Sequence, residues 1–446
     1  MKLEALEQAI PHAAVAAALQ ETGVKTQRER KLNLVLTAFT VIAMNVYTCI
    51  SIGHVLEKIS KGLRFIWPDA EYAVAGDSAF SYRRAQLGVR PLRALLRRVC
   101  RPVTSPDTRG AFVYGLRLVA LDSTVEEVPD TAANAKVFGR SYSHLGASNF
   151  PQLRTILLAE CGAHTILDAC FFPYHVSERV GAQRLVRSIS AEMLVLWDMG
   201  LHSFDLIQAV CARGAQVLGR LPAHARPLRS ETLADGSYLT ELYPSAYPRR
   251  KAGEQLRLRI IEYRFTDPAL PGHHARHRLV TSLLDAERYP ALDLVCLYHE
   301  RWEIELLIDE SYTHQRLAHG PLRSLTPRGV IQELYGLVLA HYAIRSLMHA
   351  AAVQAGVDPD RLSFVHALEV IRDAVPEFQM VAPELQPQLY QRLLRDIASA
   401  RLPERRLRIN PRVVKTKISR FPRKRPKHLN WPQPAKSFRD SVIISI

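Results

Sequence analysis

Apolar residues recur at helical spacing over 3–19, 32–46 and 52–63, so the first hundred residues read as helical. The stretch SAFSYRRAQLGVRPLRALLRRV closes this region as two short helices around a turn marked by Gly88. Two readings stand for the pair. One is a helix-turn-helix-like unit with a basic face made by Arg83, Arg84, Arg93, Arg97 and Arg98. The other is an ordinary helical pair whose arginines are solvated.

After Pro102 the period shortens. GLRLVALDSTV, LRTILLAECG and HTILDACFF predict three consecutive strands. Ser177 caps a helical stretch, AEMLVLWDMG predicts a fourth strand, SFDLIQAVCARG a helix stopped at Gly214, and AQVLGRL a fifth strand. A meander followed by strands alternating with helices predicts a mixed α/β fold, a sheet with helices on its faces. From about 222 to 277, GSYLTELYP, LRLRIIEYRF and PALPGHHARH predict a β-rich insertion, after which RLVTSLLD returns to the core. A single long helix is predicted over about 292–317, and further helices over about 328–351, 359–375 and 383–400.

Charge narrows the class of partner. The 446 residues carry a formal net charge of +16. A chain this basic points to a polyanion, most commonly nucleic acid, against the alternative of a solvated basic surface. The residues from 401 onward are rich in Lys and Arg, nearly free of acid and broken by prolines, which predicts a basic arm for phosphates. None of the six cysteines forms a CxxC pair, which argues against a zinc clip or disulfide framework and for buried thiols in a reducing compartment. The acidic, amphipathic start is wrong for a signal peptide. The longest apolar stretch, 34–52, is interrupted by Thr37, Thr40, Asn45, Thr48 and Ser51 and reads as a buried helix. The expectation is a soluble cytoplasmic protein with no membrane partner. HHARH at 273–277 reads as a solvated loop.

Two acids end apolar strands: Asp122 in VALDST and Asp198 in VLWDMG. A carboxylate there needs a partner or a metal, although strand ends also carry Asp as a turn former. In LYHERWEIELLIDESYTHQRL, at 100° per residue, Tyr298, Arg301, Trp302, Glu305, Asp309 and Tyr312 fall on one stripe. Leu297, Ile304, Leu307 and Ile308 form the packing stripe, and Glu303 and Glu310 point elsewhere, to solvent. An Arg301–Glu305 pair on a solvated helix explains two of these residues but not why Tyr298 and Trp302 share their face. Three carboxylates suit a hard divalent cation, Mg²⁺ or Mn²⁺, and two such ions suit in-line phosphoryl displacement on DNA. The sites read from this are metal ligation by Asp122, Asp198 and Glu305, phosphate contact by Arg301 and Tyr298, and base stacking or packing by Trp302. Asp168 reads as a paired strand residue and Glu178 as a favourable charge at a helix start.

These motifs resemble the DDE transposases of the insertion-sequence-four (IS4) type. The resemblance rests on LDST, FPQLRTILLAECGAH, LVLWDMGLHSFDL, DGSYL, LYHERWEIELLIDES and LRSLTPRGVIQELYGLVLAHYAIR, nearly the whole chain. Tyr298, Arg301 and Glu305 fit the family's late-helix signature in register, while its basic position falls on Tyr312 and its usual Asp-Arg-Gly reads Asp198-Met199-Gly200. The resemblance implies a ribonuclease H-like core with an insertion between the second Asp and the Glu. It implies cut-and-paste transposition with two metal ions per active site, acting on terminal inverted repeats and target DNA as a homodimer on paired ends. The organisation expected is a helical DNA-binding region over 1–102 and a catalytic domain over 103–325 with its insertion at about 222–277. A helical region over 326–400 and a basic arm over 401–446 follow. Two alternatives stand beside it: a nuclease of the same fold without strand transfer, and a decayed or regulatory DNA-binding relative.

Overall fold

The computed structural model describes residues 6–25, 32–60, 76–144, 146–270, 272–273, 275–316, 321–404 and 435–445. The bulk of the predicted basic arm, 405–434, lies outside them, as do the last residues of the predicted third helix and Leu317 at the end of the late helix. The chain forms two compact units, Met1–Ser188 with Glu303–Pro403, and Ile189–Trp302 with Glu404–Ile446.

The first unit joins the two ends of the sequence's helical regions. Its N-terminal helices are α1 (His12–Glu21), α2 (Leu34–Ala43), α3 (Ile52–Ser60), α4 (Asp77–Leu87) and α5 (Arg90–Val99). Helix α2 is buried at every position but Val35, as its apolar composition requires. Strands β1 (Phe112–Val113), β2 (Leu116–Glu127), β3 (Gln152–Glu160) and β4 (Ile166–Pro173) form an antiparallel meander, with Asp122 opposite Leu157. Helix α6 (Ala132–Phe138) lies between β2 and β3, and α7 (Glu178–Leu185) follows β4, its start capped by Ser177.

The second unit has strands of its own. Strand β5 (Met193–Trp197) is parallel to β6 (Gln216–Arg220), with α8 (Phe204–Cys211) between them in sequence. The order then runs through β10 (His277–Thr281), β9 (Leu256–Phe265), β8 (Tyr238–Leu242) and β7 (Glu231–Thr232), all antiparallel. The β-rich insertion therefore extends the unit's sheet. Strand β11 (Val442–Ile444) adds to β9, so the end of the predicted arm folds back into the sheet. Asp267 receives the backbone N–H of Ala435 at 2.7 Å and fixes this return.

The predicted single late helix is several pieces: α9 (Ala291–Tyr298), a 3₁₀ turn (His299–Arg301), α10 (Trp302–Asp309) and a π-helical turn (Glu310–Gln315). Three residues at 120° rather than 100° shift the stripe by about 60°. Glu303 and Glu310, expected in solvent, are buried: Glu303 lies only about 40° round α10 from Leu307, and Glu310 shares that face seven residues on.

Back in the first unit, α11 (Pro327–Ala355), α12 (Phe364–Met380) and α13 (Gln386–Ile397) complete the fold. Helix α11 is its axis, and Thr326 caps it through the N–H of Gly329 at 3.2 Å. Helix α2 crosses it at Gly336, where an added Cβ would stand 2.4 Å from the carbonyl oxygen of Val41. Asn45 donates to the Glu333 carbonyl at 3.2 Å beside this crossing.

Of the two readings of α4 and α5, neither holds for all five arginines. Arg93, Arg97 and Arg98 are exposed, but Arg83 and Arg84 are buried. Arg84 donates to the Ser324 hydroxyl at 2.9 Å and the Gly329 carbonyl at 2.7 Å, serving the α4–α11 junction. All six cysteines are free thiols; four are buried, but Cys49 is exposed and Cys211 half-buried. The predicted solvated loop at 273–277 ends in a buried residue, His277, stacked on Tyr263 with ring centroids 5.1 Å apart.

The α2–α11 crossing sets the first prediction. Gly336→Ala forces the two backbones apart and costs about 1–3 kcal/mol. A thermal melt followed by circular dichroism will show a lower midpoint; an unchanged midpoint would mean that the helices do not approach this closely.

Candidate active site

Asp122 lies within β2, not at its end. Four buried residues, Leu118 to Leu121, precede it, and burial drops at Asp122 while the strand runs on to Glu127. The apolar run thus marks where the strand leaves the core, not where it stops. The Asp122 carboxylate accepts the Ser123 N–H at 2.7 Å. Ser123 in turn donates its hydroxyl to Glu178 at 2.6 Å, so the acid opening α7 meets the neighbour of Asp122. Asp168 is paired as expected, held by Arg187 at 2.9 and 3.0 Å and by the Ser188 hydroxyl at 2.6 Å.

Glu305 sits in the first turn of α10, half-buried, two residues after the chain enters the first unit. Ile304 and Leu307 pack inward beside it, as the apolar stripe predicts. Tyr312, at the family's basic position, packs against an apolar cluster that includes Val128, Phe138, Leu153 and Leu334. Burial pushes its phenol well above the usual tyrosine range. One turn on, Arg316 pairs with Glu126 at 2.6 Å, its guanidinium 5.9 Å from the Tyr312 ring centroid. The departure at Tyr312 is therefore absorbed as packing.

In the second unit, Asp198 follows β5 and caps a 3₁₀ turn (Met199–Leu201), accepting the Gly200 N–H at 2.6 Å. Its place is set by Trp197, fully buried and opposite Gly219 on β6. A Cβ at Gly219 would stand 2.3 Å from the indole nitrogen, so only glycine leaves room for the ring. The Trp197 carbonyl accepts the Tyr298 hydroxyl at 3.0 Å. Burial first, with Asp198 and Tyr263 adding to it, raises the Tyr298 phenol above its ordinary value despite Arg301 nearby. Arg301 is buried, with its guanidinium 6.0 Å from the Tyr298 ring centroid and 5.3 Å from that of Trp302. Trp302 remains 37% exposed. Met199 is exposed.

Among the residues passed over by sequence reasoning, Asp235 matters most. It opens DGSYL and pairs with the fully buried Arg259, which also donates to the Tyr289 carbonyl at 2.7 Å. Asp235 accepts the Ala291 N–H at 2.8 Å and so holds the first residue of α9, the helix that ends at Tyr298. The sequence signal was the motif itself, a polar turn between strands, but its partner lies far along the chain. Tyr238 of the same motif is buried and donates to Glu262 at 3.1 Å, whereas Tyr243 is exposed.

Among the described residues, one group has metal-ligand spacing, and it is none of the three expected acids. His164, Glu303 and Asp360 bring one ligand atom each within 4.8 Å of one another, all three buried.

Glu126 supplies a pH test. Burial pushes its carboxyl up to about 7 against the pull of Arg316, from an unfolded value near 4.5. A carboxyl with a raised folded-state pKa stabilises below the unfolded value, and that contribution is lost as pH rises through the folded one. The thermal midpoint of the wild type relative to Glu126→Gln will therefore fall between pH 4.5 and about 7. A constant difference across that range would rule out the shift.

Comparison with known proteins supplies the family. Residues 1–97 match the family described as insertion element 4 transposase N-terminal, and residues 114–343 match the transposase DDE domain. The transposase InsG for insertion sequence element IS4 of Escherichia coli is 28% identical over 418 residues, 92% of this chain and 91% of that protein. The putative transposase InsZ of the same organism is 28% identical over 180 residues, 39% of this chain and 57% of that one. A solved piggyBac transposase synaptic complex with hairpin DNA aligns with a TM-score of 0.41 and 11% identity over 88% of this chain and 84% of that chain. The mixed α/β fold, the N-terminal match and the DDE match agree, and the chain belongs to the insertion-element-4 family of DDE transposases.

Proposed function

We propose that Asp122, Asp198 and Glu305 ligate two divalent ions, Mg²⁺ or Mn²⁺, and that the protein cuts and joins DNA at the ends of its own element. The observation that carries this reading is the DDE match over 114–343, which contains all three acids. The donor set fits the metal: three carboxylates, each half-buried, give hard oxygen ligands and leave space for water. Once bound, the ions would activate the attacking oxygen and stabilise the leaving one.

The chain's own residues do the remainder. Arg301, buried beneath Trp302, has the planar fork that grips a phosphate. Trp302 presents a ring on which an unpaired base can stack. Tyr298 anchors the strand end ahead of Asp198 through the Trp197 carbonyl and lies beside Arg301; to share the phosphate contact its hydroxyl exchanges that carbonyl for a phosphate oxygen. The partners are double-stranded DNA at terminal inverted repeats and at the target, bound by a homodimer on paired ends. The setting is the bacterial cytoplasm, on the nucleoid. The region 1–102 supplies DNA contacts through the exposed Arg93, Arg97 and Arg98, 103–325 the chemistry, 326–400 the supporting helices, and 401–446 further phosphate contacts.

The test is cleavage of labelled DNA carrying the gene's own flanking sequences, with Mg²⁺ or Mn²⁺. Wild type will cut at the element ends and join 3′ ends to a target. Asp122→Ala and Glu305→Gln will lose at least about a hundredfold in cleavage, the scale of losing a group that acts directly on the reacting atoms. Full cleavage by either variant refutes the ligand assignment. Cutting without joining identifies a nuclease, and salt-sensitive binding without cutting a regulatory DNA-binding protein.

A further inference from the structure

The turn between β3 and β4 carries His164, fully buried and with a left-handed backbone, φ 54°, that residues other than glycine rarely adopt. Its ring joins two helices of the same unit. Nδ1 lies 2.6 Å from Nη2 of Arg345 in the middle of α11. A guanidinium nitrogen only donates, so Nδ1 accepts and the ring proton sits on Nε2. Nε2 donates to Oε2 of Glu303 on α10 at 2.6 Å, with Oδ1 of Asp360 at 3.2 Å. Arg345 also donates through Nε to Oε2 of Glu310 at 2.8 Å and through Nη2 to Oε1 of the same residue. His341 stands 3.5 Å from Glu310 on the other side.

Glu303 and Glu310 are seven residues apart, close to two helical turns, so they share one face. Glu305 lies between them in sequence, about 200° round the helix from Glu303 and half-buried. The helix is thus clamped at two points on its inner face to groups fixed in the hairpin and in α11. A turn of one residue in register would swing both carboxylates out of reach of their partners.

We propose that Glu303, held by His164, with the Arg345–Glu310 pair as the second clamp, is the positioning residue that sets the rotation of α10 and so aims Glu305. The proposal rests on the reading of Glu305 as a metal ligand. A clamp of this kind depends on side-chain length before charge, because the distance from helix to ring fixes the helix. Glu303→Gln keeps the length and an oxygen to accept from His164. Glu303→Asp keeps the charge but draws the helix in by one methylene or lets go.

The experiment is cleavage of the same element-end DNA by the full chain across a Mn²⁺ titration. Glu303→Gln will need Mn²⁺ within about twofold of wild type for half-maximal cleavage. Glu303→Asp will need about tenfold more, the scale on which groups behind metal ligands act, while its rate at saturating Mn²⁺ falls less than about threefold. The reverse order overturns the proposal, since charge would then matter more than length. In that case an ion retained by the dialysed wild type, detected by elemental analysis, would make His164, Glu303 and Asp360 a metal site. Lost cleavage at an unchanged Mn²⁺ requirement, tracking the folded fraction by circular dichroism, makes the network merely structural and also overturns it. Glu305→Gln run alongside separates the two claims. If it cuts at the wild-type rate, Glu305 is no ligand and the positioning proposal falls with that reading.

Discussion

The first unit depends on burying Pro327–Ala355 on nearly every side. The helix is long and apolar enough to cross a membrane, yet most of its surface is packed inside the protein. A helix apolar all round must be covered, and here the covering comes from both ends of the chain. That is why the N-terminal helices pack against C-terminal ones. Burial also sets the terms for every polar group the helix carries, because a buried donor or acceptor without a partner is costly. Glu333 receives the backbone N–H groups of Arg323 and Ser324 at 3.1 and 3.0 Å. Gln332 donates to the carbonyls of Arg84 and Gly88 at 2.7 and 2.8 Å. Arg345 is answered by Glu310 and His164. Each partner belongs to another segment, so satisfying this one helix fixes the entry to it, the N-terminal helical pair, the hairpin and the helix that holds Glu305.

The second unit solves a different problem. Its parallel pair, β5 and β6, must admit a tryptophan beside the strand end that leads to Asp198, and Gly219 makes the space. The insertion then covers the edge of the sheet strand by strand, and the returning C-terminal strand covers part of the last long one, which leaves less unpaired backbone exposed. Arg259 and Asp235 tie the insertion to the start of the helix that ends at Tyr298. The insertion is thus part of what holds Tyr298 in place.

The arginines show how these interiors bear on function. The net charge of +16 invites the thought that basic residues face DNA. Yet Arg83, Arg84, Arg259, Arg301 and Arg345 are all buried. Arg259 and Arg345 meet carboxylates there, and Arg84 bonds to a hydroxyl and a carbonyl. A buried arginine is acceptable only where its donors are answered, so part of the positive charge serves the fold. The exposed positive charge is less than composition suggests, and on the N-terminal pair it includes Arg93, Arg97 and Arg98.

By itself the sequence determined the kind and order of the elements: the five core strands, the strand-rich insertion and the flanking helices. It also nominated Asp122, Asp198 and Glu305, with Tyr298, Arg301 and Trp302, as candidates for the chemistry. These were legible because alternation, helical period, caps and short motifs act over a few residues, and the backbone responds to them locally. Only the tertiary structure decided which carboxylates are buried. Glu303 and Glu310 looked solvated on an isolated helix, and packing against the hairpin and the long apolar helix set them against His164 and Arg345. It also decided that Asp235 answers Arg259 and that the end of the chain is a strand. Such pairings join residues tens to hundreds of positions apart. They follow from the cost of leaving a buried charge or backbone group unanswered, a cost that exists only once the distant partner has been brought alongside.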